Sequence, residues 1–125
     1  MSFASPQEAM AFYGETINRH RFDALLPVLS ADVLFWFSSG SHAGLIASRR
    51  AFEATWARIA DEYYWLEELD WIALGDQSAA CTYRFHWRGL VHAVPSQGTG
   101  RGTSVLRREA DGWVIVHEHL SAEPG

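Results

Sequence analysis

The sequence predicts an α+β fold, and three features carry that prediction. Apolar residues recur at helical spacing in the first half of the chain. Strand-like alternation fills the second half, and no linker, repeat or low-complexity tract divides the two. At 125 residues the chain has room for one substantial core, so a single domain over residues 1–125 is expected.

Each element has its own local reason. Ser5-Pro6-Gln7-Glu8 is a helix start, with a capping Ser, Pro at the first helical position and Glu three residues after the cap. Ala9, Phe12, Tyr13, Thr16 and Ile17 then form an apolar stripe through His20. Residues 21–30 make a second, short helix that Pro27 tightens or interrupts. The apolar run at residues 33–38 is a buried strand, and "SGSHAGL" after it is a loop. Ser48 caps a long helix whose stripe of Phe52, Thr55, Trp56 and Ile59 runs to about residue 64.

From Trp65 the period changes. "WLEELDWIAL" is a strand closed by a Gly75-Asp76 turn, and "SAACTYRFHWRGLVHAV" is a long strand that "PSQGTG" breaks. "RGTSVLRRE" and "WVIVHEHLS" complete an antiparallel sheet. Three helices on one face of a long, curved sheet enclose a cone, a shape in which small-molecule pockets form.

Composition narrows the function. The net charge of −5 argues against nucleic-acid binding, which needs clustered positive charge. No run approaches the roughly 18 apolar residues of a membrane span, and no basic leader precedes an apolar stretch, so a cytoplasmic protein is expected. The lone Cys81 excludes an internal disulfide and reads as a small buried hydrophobe. Six Trp, seven Phe and four Tyr favour pockets and interfaces as well as core.

Alternation sorts the strand residues into faces. Cys81, Tyr83, Phe85 and Trp87 are expected to face the helices, together with Val114, Val116, Glu118 and Leu120 on the last strand. His117 and His119 then lie outside with Arg84 and His86, a surface fit for a homodimer. Glu118 is the sharpest catalytic candidate, because a carboxylate among apolar neighbours is desolvated or paired. Its bland alternative is a solvated rim position. Tyr13 could offer its hydroxyl to a ligand, or be a satisfied core tyrosine. Trp36, Trp56 and Tyr63 fill core or line a pocket. His86, His117 and His119 have a spacing a metal would accept, but hydrogen-bonded structural histidines explain it as well, and no metal or cofactor is expected.

The patterns "AGL", "AF…TW", "GDQSAACTY" and "GTSVLRREADGWVIVHEHLS" resemble the SnoaL-like branch of the nuclear transport factor 2-like superfamily, over nearly the whole chain. Among better-known relatives they are similar to the association (hub) domain of calcium/calmodulin-dependent kinase II. The resemblance implies a cone-shaped α+β barrel, commonly dimeric, with a cavity between helices and sheet. Carried across by position, the hub's cavity Trp matches Trp56. Its ligand-binding arginines fall on Phe85, Ser104 and Leu120, so anion binding in the hub manner is not implied. A His at the start of the hub's long helix becomes Ser48. The expected function is binding of a small, largely apolar ligand in a conical pocket by a homodimer. The alternative is a cofactor-independent isomerase, cyclase or dehydratase using Glu118 as general base, with Tyr13 or His42 orienting the substrate.

Overall fold

A computed structural model describes residues 2–124. Helix α1 (Pro6–Thr16) begins as expected: the Ser5 hydroxyl accepts from the Glu8 amide, while the Glu8 carboxylate reaches back to the Ala4 amide at 3.0 Å. A 3-10 turn (Ile17–Arg19) and a 3-10 helix (Phe22–Val28) follow, the latter containing Pro27. Six strands, β1 (Leu29–Phe37), β2 (Gly40–Ala43), β3 (Ala60–Leu74), β4 (Ser78–Val91), β5 (Val94–Glu109) and β6 (Gly112–Ala122), form one sheet in the order β2-β1-β6-β5-β4-β3. Helix α2 (Gly44–Arg58) lies between β2 and β3.

The fold is the expected α+β arrangement of helices on a curved sheet, with some differences of detail. The sheet is mixed, because β1 and β6 run parallel, and it does not close into a barrel. The "SGSHAGL" stretch supplies β2, a short hairpin partner of β1. Helix α2 starts at Gly44 rather than at Ser48, whose hydroxyl donates back to the Gly44 carbonyl at 2.6 Å. It also ends at Arg58, and β3 begins five residues before Trp65.

The inner face is built from aromatic rings laid over glycines. Tyr83, Phe85 and Trp87 of β4 pair with Gly102, Gly100 and Gly98 of β5. A Cβ on those glycines would stand 2.3–2.4 Å from the three rings, so the alternate glycines are what let the rings lie flat across β5. "PSQGTG" is therefore not a break; it lies within the continuous strand β5. Above the rings pack the buried Ala9, Met10 and Tyr13 of α1, Phe22 and Leu25 of the 3-10 helix, and Phe52 of α2. Each large side chain so buried contributes roughly 1.5–3 kcal/mol.

Strand β6 departs from simple alternation. Leu106 pairs with Ile115, but Val105 pairs with His117, leaving Val116 as an extra residue. Trp113 and Ile115 therefore point inward before the bulge, and Glu118 and Leu120 point inward after it. The expected inner set of Val114, Val116, Glu118 and Leu120 is correct only in its second half.

Candidate functional site

Glu118 is 1% exposed and has both carboxylate oxygens engaged. The Tyr13 hydroxyl donates to Oε2 at 2.9 Å, and the Tyr83 hydroxyl donates to Oε1 at 2.8 Å. Ser104 Oγ lies 2.8 Å from the same Tyr83 oxygen. Because the phenol has one proton and spends it on Glu118, the Ser104 hydroxyl is the donor in that contact. The site thus joins α1, β4, β5 and β6, and it exists because the Val116 bulge turns Glu118 inward opposite Ser104.

Two effects on the Glu118 proton oppose each other. Desolvation disfavours the carboxylate, while hydrogen bonds from Tyr83 and Tyr13 favour it. Desolvation wins, and the group is pushed up from 4.5 to about 7. The phenols respond in the opposite sense to an activated donor. Burial, and then the Glu118 charge, holds Tyr13 and Tyr83 well above the usual tyrosine range, so they keep their protons. Burial likewise raises the Cys81 thiol to about 12, which makes it an inert core group.

Tyr64 of β3 adds a third phenol beside this cluster. Its ring stacks on Phe85 at 5.9 Å, and its buried hydroxyl has no hydrogen-bond partner among the described residues. The backbone here is held rigidly. Asn18, in the 3-10 turn, donates through Nδ2 to the Tyr64 carbonyl at 2.9 Å and accepts from the Tyr64 amide at 2.8 Å. His20 Nε2 bonds the Glu62 carbonyl at 2.9 Å, and its ring stacks on Trp56.

The expected site residues divide between the two faces. Tyr13, Tyr83, Ser104 and Glu118 converge; Trp56, Phe85 and Leu120 pack half-buried on the same core. Trp36 and Tyr63 do not belong to this group. Trp36 meets His117 and His119 edge-on, on the outer face, and is 43% exposed. Tyr63 stacks on Trp65 beneath Arg88, also outside, because the neighbouring Tyr64 takes the inward position. His42 lies on β2 against Ser39 and Phe37, and nothing joins it to Glu118. Tyr64 and Glu62 are the inner-face residues that sequence reasoning passed over.

The outer face carries different chemistry. His117 Nδ1 lies 2.7 Å from the Leu34 carbonyl, while His86 stacks on Trp65. Among the described residues no group of three or more His, Cys, Asp or Glu side chains is placed to hold a metal ion. An open basin of about 660 Å³ lies here, with Thr82, Arg84, Arg101, Thr103 and His119 among its lining. Arg84 in it is already paired with Glu68 at 3.1 Å and Glu123 at 2.6 Å. The perturbed acid lies on the other side of the sheet.

This arrangement of helices over a curved sheet defines an NTF2-like fold. The SnoaL-like domain family model matches residues 7–124, and the chain belongs to that family. Solved structures agree on the fold. An NTF2-like superfamily protein from Salmonella enterica superposes with a TM-score of 0.86 at 17% identity, covering 94% of this chain and 88% of that one. A candidate calcium/calmodulin-dependent protein kinase II association domain from Xanthomonas campestris gives 0.80 at 16% identity, covering 98% and 94%. A protein of unknown function with a cystatin-like fold from Nostoc punctiforme gives 0.81 at 12% identity, covering 100% and 97%. No sequence among the curated proteins matches. Among the described residues no helix is long and apolar enough to cross a membrane.

Proposed function

We propose that the chain binds a small, largely apolar molecule against the inner aromatic face, and that the ligand carries one oxygen acceptor for Tyr64. The observation that supports this is the orphaned Tyr64 hydroxyl, buried among rings beside Glu118. Leaving a buried donor unmade costs about 1–3 kcal/mol, which a ligand oxygen would recover. Trp56, Phe85, Trp87 and Leu120 are half-buried and form the approach, so the ligand displaces side chains rather than entering an open hole. The domain acts as a homodimer through the outer sheet face, where Trp36 and Tyr63 are 43% and 46% exposed. No cofactor enters this reading.

A second reading makes the same site catalytic. A carboxyl group near 7 in apolar surroundings exchanges its proton readily at neutral pH, as a general base requires. Glu118 is that base, and Tyr13 and Tyr83 orient it.

One experiment addresses both. Titrating 1-tetralone, an apolar ketone with exchangeable α-protons, should move the NMR signals of Trp56 and leave those of Trp36 unchanged. Tyr64→Phe should weaken binding about tenfold, a loss of one hydrogen bond. Signal changes confined to the outer face would overturn the binding reading. In D2O, catalysed deuteration of the ketone should vanish in Glu118→Gln, and an unchanged rate would discard the base.

A further inference from the structure

A second carboxylate on the inner face is used by nothing described above. Glu62 follows Asp61, whose φ of 54° accompanies a bulge between Ala60 and Tyr63 that turns Glu62 inward. The residue is only 9% exposed. Its backbone carbonyl is bound by His20, but among the described residues its carboxylate makes no hydrogen bond and no ion pair. Its oxygens are not sealed from solvent, but a largely desolvated anion without a protein partner is still unfavourable, and natural proteins tend to pair such groups. Burial shows in the group's proton affinity, raised to about 7 against a weaker opposing pull from Arg58.

The surroundings define what would satisfy it. Tyr64, two residues on, presents its ring and unpartnered hydroxyl on the same face. On the other side His20 stacks on Trp56, whose ring also packs on Phe52 at 5.6 Å. Gly89 of β4 lies directly beneath, where a Cβ would be 3.1 Å from the Glu62 Cα. The end of the inner face near α2 and β3 is thus a carboxylate set among π-faces, with the exposed Arg58 acting on it as a nearby cation. Aromatic faces and a desolvated carboxylate attract the same kind of partner, an organic monocation.

We propose that Glu62 marks a subsite for an ammonium group, so that the ligand of the inner face is an apolar amine. The inference rests on the reading that the inner face takes a small molecule. The ammonium pairs with the Glu62 carboxylate while the apolar body of the ligand lies against the rings toward Tyr64. Arg58 is the competitor that would otherwise swing in.

Benzylammonium and its neutral counterpart benzyl alcohol test this at about pH 8, where Glu62 is ionised. In the unaltered protein the ammonium should bind at least tenfold more tightly by calorimetry. Glu62→Gln should abolish that preference while leaving benzyl alcohol affinity unchanged, and Glu62→Asp should retain part of it. Arg58→Ala should strengthen ammonium binding. Equal affinity for the two probes, or a preference that survives Glu62→Gln, overturns the subsite alone. Binding of neither probe to the inner face overturns both the subsite and the reading beneath it.

Discussion

Glu118 shows how a buried carboxyl group shapes a chain's response to pH. Its folded proton affinity lies near 7, against an ordinary 4.5 in the unfolded chain, so the folded state holds a proton that the unfolded state releases. The contribution to stability is complete below about 4.5 and is lost as pH rises through 7. At about 1.4 kcal/mol per unit over roughly 2.5 units, the loss is about 3 kcal/mol. Urea unfolding at about pH 5 and about pH 7.5 should show the protein weaker at the higher value, and Glu118→Gln should remove about half of that slope, because Glu62 is raised to about the same value. A variant with the original slope would place the titration elsewhere. The inward carboxylate was legible in the sequence, but through reasoning only half correct. Parity had assigned Val114 and Val116 inward with it, whereas the bulge at Val116 gives Trp113 and Ile115 those places. Trp36 was misplaced for a related reason: "VLFWF" is apolar throughout, so alternation has no phase to read, and Phe35 takes the core position.

Among the elements, the hairpin joining β4 to β5 breaks the usual turn chemistry. Val91 pairs with Val94, leaving a two-residue loop in which His92 and Ala93 have φ of 51° and 64°. That is a type I′ turn, for which Asn-Gly is the preferred pair. A left-handed conformation costs an ordinary L-residue about 1–2 kcal/mol. Replacing His92-Ala93 by Asn-Gly should raise stability by about 1–2 kcal/mol and the thermal midpoint by several degrees. An unchanged midpoint would mean the turn is not strained. The same departure explains why the sequence runs β4 straight through the turn and breaks β5 instead. Turn signals are read from Gly and Asn, and here glycines sit inside a strand while the turn has none. The parallel β1–β6 pairing was equally invisible, since no local pattern in either strand encodes which neighbour it takes.

For the whole molecule, the two faces of the sheet differ in chemistry. The inner face holds the buried phenol–carboxyl cluster; the outer face carries the exposed Trp36 and Tyr63, with His117 and His119 flanking Trp36. If the outer face joins two copies, sedimentation at tens of micromolar should give the mass of a dimer. Trp36→Glu, which puts a charge at an apolar contact, should weaken association at least tenfold with little effect on folding. A wild-type monomer under those conditions would overturn the dimer. The α+β class and the order of most elements were legible because helical spacing gives way to strand alternation along the chain, although the change read at Trp65 falls five residues earlier, where β3 begins at Ala60. The distribution of rings between faces was not, because aromatic side chains serve both.

The bare glycine rail of β5 has a practical corollary. Beneath the rings of Tyr83, Phe85 and Trp87 there is only ribbon, so trimming any of them exposes main chain directly instead of another layer of side chains. Whoever wishes to carve a roomier interior into this scaffold should cut at Phe85, where the floor is already as thin as a polypeptide allows.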